Sequence, residues 1–249
     1  MKVLITGASS GIGRDFARLL KDSYDEIVIV SRNKEALNNL KDEIQRGSNA
    51  VVKVVATDLS IEENVINVYE ENKDMDLVIN NAGVDDFGKF SETDLEKELS
   101  MINTNITALH ILTKLYLKSM KEKDSGHILN VASIAGFMPG PLMATYYATK
   151  NYVVRLSEAI YEELRREKSN VKISVLCPGP VDTNFNNVAN VSFALKGLKS
   201  IDVASYALKH LNRFYITLGL GVKLARFGAH FMPSLRMARI AYNVQKKKL

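Results

Sequence analysis

Hydrophobic positions along this chain follow two rhythms in turn. The runs VLIT (3–6), EIVIVS (26–31), AVVKVVAT (50–57), MDLVINNAG (75–83), GHILNVAS (126–133) and NVKISVLCPG (170–179) are short and mostly apolar. Between them lie IGRDFARLL, 34–46, 61–72, 91–121 and the stretch from Tyr146 to Glu167, which read as helices. Strands that are apolar throughout are covered on both faces, and strands alternating with helices pair in parallel. The pattern predicts one α/β domain over residues 1–249, a doubly wound parallel sheet of about seven strands with helices on both faces. Near the end, ASYALKHLNRF reads as a helix, FYITL as a last strand and SLRMARIAYNV as a terminal helix after Pro233. No repeat, low-complexity tract or linker interrupts this order.

Composition narrows the class. A chain of 249 residues, 46% hydrophobic and 24% charged, suits one soluble globular core. No apolar run approaches a membrane span, and the start MKVLITGASSG lacks the form of a secretory signal. A single cysteine, Cys177, precludes an internal disulfide and fits a reducing, cytoplasmic setting; inside an expected strand it reads as inert packing. The four histidines lack ligand spacing, so neither a metal site nor a Ser-His-acid triad is expected.

Charge is unevenly placed. Residues 1–202 carry 24 basic and 28 acidic groups, whereas 203–249 carry nine basic groups and no acid. The expectation for this basic C-terminal extension is helices whose cations alternate with core-facing apolar residues, with KKKL fraying into solvent. Docking of an acidic partner or anionic carrier, and peripheral contact with anionic lipid, are the less favoured readings. Aromatic interleaving is missing and the body is acidic, so nucleic acid is not an expected partner.

Candidate chemistry begins after the first run. Thr6-Gly7-Ala8-Ser9-Ser10-Gly11-Ile12-Gly13 stands between a strand and a helix, where glycines let the backbone approach a pyrophosphate at a helix N-terminus. The second run ends Val30-Ser31-Arg32-Asn33 without the acid that would meet a free ribose 2′-hydroxyl. Arg32 can pair with a 2′-phosphate and Ser31 can donate to it, which points to NADP(H) in preference to NAD(H). Further on, Tyr146 and Tyr147 precede Lys150 by four and three residues, so helical spacing lets either phenol meet that lysine.

TGASSGIG (6–13), NNAG (80–83), the serine of NVASIAG (130–136), YYATK (146–150) and CPGPVDT (177–183) occur in the order and spacing of the short-chain dehydrogenase/reductase family, which this chain resembles over about residues 1–183. The family motif places a serine thirteen residues before the tyrosine of Tyr-x-x-x-Lys. Ser133 and Lys150 match Tyr146 in this way, while Ile134 and Asn151 stand at the positions matching Tyr147. The resemblance implies Tyr146 as acid/base, Ser133 as hydrogen-bond donor to the developing alkoxide, and Lys150 as the charge that draws the Tyr146 pKa toward neutrality and binds the ribose. Tyr147 is expected to be a wall residue.

By the same resemblance Asn105 holds a water beside Lys150, although Ala108 replaces a frequent family glycine. Asp58 and Leu59 flank the adenine, and Asn81, Ala82 and Gly83 line the ribose side. Pro178 and Gly179 shape the loop under the nicotinamide, while Val181 and Thr183 hold its carboxamide. Residues 184–200 correspond to a substrate lid, and relatives assemble as homodimers or homotetramers through the helices bearing Asn105 and Tyr146.

The substrate side is apolar, with Phe137, Met138, Leu142 and Met143, then Phe185, Val188, Val191, Phe193, Leu195 and Leu198. Asp85 and Asp86 read as solvated turn residues, or as a charge repelling anions at the mouth. The expected activity is NADP(H)-dependent interconversion of a small-molecule ketone and secondary alcohol, steroid-like or acyl in character. The alternatives are reduction of a 3-oxoacyl thioester and a non-catalytic NADP(H) sensor or scaffold.

Overall fold

The computed structural model describes residues 1–182 and 197–246. Its centre is a parallel sheet of β1 (Lys2–Thr6), β2 (Glu26–Ser31), β3 (Val51–Ala56), β4 (Leu77–Asn80), β5 (His127–Val131), β6 (Lys172–Leu176) and β9 (Tyr215–Ile216). The strands lie in the order β3-β2-β1-β4-β5-β6-β9, as a seven-stranded sheet. A small separate ladder pairs β7 (Val181–Asp182) with β8 (Leu198–Lys199). The reversal of strand order between β1 and β4 opens a crevice at the carboxyl ends of the strands, where ligands bind in such sheets.

Alternation along each strand sorts side chains into two cores. Val3, Ile5, Ile27 and Ile29 join one cluster with Phe16 of α1 (Gly11–Leu20), Leu37 of α2 (Lys34–Arg46) and Val203 of α7 (Ser200–Lys209). Leu4, Val28, Val30 and Val78 join the other with Val65 of α3 (Glu62–Glu70), Tyr116 of α5 (Leu109–Lys123) and Leu164 of α6 (Ala144–Glu167). The doubly covered sheet is thus as the apolar runs predict.

Three segments depart from the sequence reading. The stretch 91–121 is not one helix: α4 (Leu95–Ile102) passes into a wider, π-helical turn over Asn103–Ala108 before α5 begins. Such a turn inserts a residue into the helical phase, often at functional sites, and this one carries Asn105. The helix expected over 204–214 runs instead over Ser200–Lys209. It must end there because the Phe214 carbonyl accepts from Val175 N (2.7 Å) at the sheet edge. The sequence reading also passed over α8 (Leu220–Phe231), whose glycines at 221 and 228 weaken helical propensity. Then α9 (Ser234–Gln245) closes the described chain after Pro233, as predicted.

Candidate active site

A cavity of about 630 Å³ runs along the carboxyl edge of the sheet from Ser31, Arg32 and Asn33 to Tyr146. The glycine turn forms its middle. Gly7 has φ +67°, and a Cβ there would lie 2.8 Å from Asn81 Nδ2. A Cβ on Gly13 would meet the Gly7 carbonyl oxygen at 2.4 Å, so this glycine lets α1 press against the turn. Ser10 precedes α1 in extended conformation without capping the helix by its side chain. The first N–H groups of the helix therefore face the cavity beside Ser9, Ser10, Gly11 and Ile12.

Asn81 braces this turn. Its Nδ2 donates to the Thr6 and Gly7 carbonyls (3.0 and 3.2 Å), and its own N–H, like that of Ala82, donates to Thr6 Oγ1 at 2.9 Å. The side chain so spent holds β4 to β1, while Asn81, Ala82 and Gly83 line the cavity. At the far end stand Ser31, Arg32, Asn33, Asp58 and Leu59. The Arg32 guanidinium is 65% exposed and 3.9 Å from the Asp58 carboxylate, loose enough to turn toward an anion. The Ser31 and Asn33 side chains secure the start of α2 by accepting from Asn33 N (3.2 Å) and Ala36 N (3.0 Å).

The opposite end gathers Ser133, Tyr146 and Lys150. Ser133 follows β5, and its Oγ accepts from Ala135 N (3.2 Å), opening the short helical turn Ile134–Phe137. Tyr146 and Lys150 lie one turn apart on α6, with Lys150 Nζ 5.8 Å from the Tyr146 ring centroid. Lys150 is buried, and Nζ donates to the Val131 carbonyl at the end of β5 (3.1 Å). Burial lowers its pKa to about 8, with Asp85 and then Cys177 acting in the opposite sense. The ammonium therefore stays mostly charged at neutral pH.

For Tyr146 the expected lowering of the pKa is corrected. Burial pushes the phenol well above its ordinary value, Asp85 adds to the rise, and a hydrogen bond with Ser133 opposes it. Loss of hydration costs the phenolate more than the surrounding polar groups return. Asp85 is likewise not the solvated turn residue favoured from sequence. It lines the cavity, close enough to bear on Tyr146 and Lys150.

Asn105 lies one layer behind the cavity. Its amide donates to Val84 O (2.8 Å) and Thr149 Oγ1 (3.1 Å) and accepts from Val84 N (2.9 Å), clamping the segment that follows Gly83. A Cβ on Gly83 would be 3.2 Å from Asn105 Oδ1 and 3.4 Å from Lys150 Nζ, so the bare glycine lets both groups approach.

Tyr147 forms part of the cavity wall. Its ring stands edge-on to Tyr146 and covers Gly140, and its hydroxyl accepts from Gln245 Nε2 at 2.7 Å. Sequence reasoning missed this use of α9, which brings Val244 and Gln245 to the cavity; it also missed Thr57, Val84 and Thr104. Only pairing across the fold reveals them, since Gln245 is 98 residues from Tyr147. Of the apolar residues expected near the substrate, Met143 lines the cavity, whereas Phe137 packs with Val153 and Tyr215. Pro178, Gly179 and Val181 form the remaining edge. Thr183 and most of the expected lid, 184–196, lie outside the described residues. Cys177 is fully buried with its thiol pushed up to about 12, in keeping with packing. Among the described residues no cluster of His, Cys, Asp or Glu forms a metal-ligand set.

Residues 1–192 match the family described as short chain dehydrogenase. The chain belongs to this family. Its similarity to an uncharacterized oxidoreductase of Staphylococcus aureus (strain USA300) is 35% identity over 225 residues, 86% of this chain and 95% of that one. Among solved structures, a short-chain dehydrogenase from Sphingobium yanoikuyae in complex with NADPH superposes with a TM-score of 0.83 at 26% identity, covering 92% of each chain. A short chain dehydrogenase/reductase from Burkholderia phymatum in complex with NAD gives 0.81 at 26% identity, again covering 92% of each. Within the short chain dehydrogenase fold, the cavity of this chain thus occupies the crevice at the switch point of the sheet.

Proposed function

We propose that this dehydrogenase interconverts a lipophilic ketone and its secondary alcohol, using NADP(H) in preference to NAD(H). The observation that carries the reading is one cavity joining the glycine turn to Ser133, Tyr146 and Lys150. Its residues fit a dinucleotide: the space that Gly7 and Gly13 leave without side chains, the open N-terminus of α1, and the cation at Arg32. The NADPH and NAD complexes of the two structural relatives support the cofactor class. Arg32, with no acid at 31–33, supports the preference for a 2′-phosphate.

The nicotinamide, when bound, supplies or takes up the hydride. Tyr146 Oη holds the proton that the carbonyl oxygen gains on reduction and the alcohol loses on oxidation. Ser133 Oγ donates to that oxygen as charge develops on it. Lys150, held at Val131 O, keeps a positive charge beside the phenol, and Asn105 positions the backbone of Val84 on the facing wall. Met143, Tyr147 and Val244 present apolar surface to the substrate.

The test is NADPH oxidation over steroid ketones, 3-oxoacyl thioesters and small ketones, with Tyr146→Phe as control. Turnover of a ketone class that the variant loses, with NADPH binding retained, is the expected outcome. Turnover confined to thioesters would transfer the reading to acyl-thioester reduction. Tight NADPH binding with no turnover on any class would favour the sensor.

A further inference from the structure

The two helices after the last sheet strand leave seven of the large apolar residues they carry exposed. Seventeen large hydrophobic residues of the described chain are exposed, and seven of them, Leu224, Phe227, Phe231, Leu235, Ile240, Tyr242 and Val244, fall on α8 and α9. This corrects the expectation that the basic extension turns its apolar residues inward. Arg226 and Val222 on α8, and Ala241 and Gln245 on α9, hold the inner faces instead. On α8 the Arg226 guanidinium lies 3.4 Å from the Tyr215 ring centroid, and Val222 packs close to Gly179. At 100° per residue, Leu224, Phe227 and Phe231 then share the face turned away from the body, 60–68% exposed. On α9 Ala241 and Gln245 are buried, so Leu235, Arg239, Tyr242 and Lys246 share the outer side.

Charge selects the occupant of this surface. Lys223, Arg236, Arg239 and Lys246 are exposed and make no ion pair with a described residue. No acid follows Asp202 in the sequence, so neither helix carries an anion of its own to balance them. Two copies of the chain meeting through this face would bring like charges together. An apolar stripe on helices whose own charged residues are all cations suits the boundary of an anionic bilayer, where rings enter the acyl region and ammonium and guanidinium groups meet phosphates. Among the described residues no helix is long and apolar enough to cross a membrane.

We infer that α8 and α9 bind peripherally to anionic phospholipid surfaces. The helices lie on the membrane, inserting Leu224, Phe227 and Leu235 beneath a collar of Lys223, Arg236, Arg239 and Lys246. This inference stands apart from the reaction proposed above, although α9 also supplies the cavity with Val244 and Gln245.

The experiment is flotation of the full chain with vesicles of phosphatidylcholine alone and of phosphatidylcholine containing roughly 30% phosphatidylglycerol. Wild type, Leu224→Ser/Phe227→Ser and Arg236→Glu/Arg239→Glu are compared, with size-exclusion light scattering and NADPH binding as controls for fold. Expected are binding to anionic vesicles at least about tenfold tighter than to neutral ones, weakening in salt, and a comparable loss in each variant with its fold retained. Wild type that does not float with anionic vesicles would overturn the inference, as would binding unchanged in both variants. A concentration-dependent oligomer dissolved by Leu224→Ser/Phe227→Ser, without vesicle binding, would instead give the surface to a second copy of the chain. Because no substrate enters the assay, its outcome is separable from that of the ketone panel.

Discussion

Gln245 donates to the hydroxyl of Tyr147 at 2.7 Å, tying the last helix to the helix that carries Tyr146 and Lys150. The adjacent tyrosines therefore divide their work: Tyr146 faces Ser133, and Tyr147 anchors α9 while presenting its ring beside Tyr146. Tyr147→Phe would leave the Gln245 amide short of a partner in a buried place, at a cost of about 1–3 kcal/mol. The expected outcome is faster amide exchange across 234–245 and a raised KM, with kcat falling far less than in Tyr146→Phe. Unchanged exchange in α9 would show that the hydrogen bond does not hold it.

Asp85 acts on two groups at once, raising the Tyr146 pKa and sustaining that of Lys150 against burial. Neutralising it makes the phenolate less costly and the ammonium easier to lose. In Asp85→Asn both values should fall. The limb of alcohol oxidation that requires phenolate should then move to lower pH by on the order of half a unit to one unit. A kcat–pH profile with that limb unmoved or shifted upward would separate Asp85 from the proton transfer.

Arg32 reaches the cavity end with only a 3.9 Å approach to Asp58. Replacing it with alanine should weaken NADPH binding by roughly ten- to a hundredfold, the size of a charge-assisted pair with phosphate, and leave NADH nearly unchanged. Titration calorimetry with both cofactors decides the matter. Equal losses would mean that Arg32 does not read the 2′-phosphate.

His127 begins β5 with its Nε2 2.9 Å from Ser174 Oγ. Burial, followed by the charge of Lys172, lowers its pKa to about 4, against about 6.5 when unfolded. A depressed value means that the unfolded chain binds the extra proton first. The stability it contributes is complete above about pH 6.5 and is lost as pH falls toward about 4, up to roughly 3 kcal/mol in all. Urea denaturation at pH 7 and pH 4.5 should show a steeper fall for wild type than for His127→Gln. Parallel falls would assign the acid sensitivity to other groups.

The sheet was legible from local pattern because two-sided burial demands runs such as EIVIVS, whose four apolar residues divide between the two cores. The glycine turn was legible for a related reason: the positive φ at Gly7 and the 2.4 Å clearance at Gly13 are demands on single residues. Motif spacing likewise chose Tyr146 over Tyr147; in the fold Tyr146 hydrogen-bonds with Ser133 and Tyr147 with Gln245. The π-helical turn at Asn105 was not legible, since its widening serves the clamp on Val84 from another element.

Reach across the fold accounts for the remainder. Short-range rules of periodicity and backbone conformation are written in neighbouring residues, and they settle the order of elements and the positions of Ser133, Tyr146 and Lys150 along the chain. Electrostatic environment and surface exposure are sums over groups distant in the chain. Packing therefore decided that burial and Asp85 both bear on Tyr146, that Asp85 joins the cavity, and that Gln245 closes on Tyr147. It also left the apolar stripe of α8 facing outward, because Arg226 and Val222 claim the inner face.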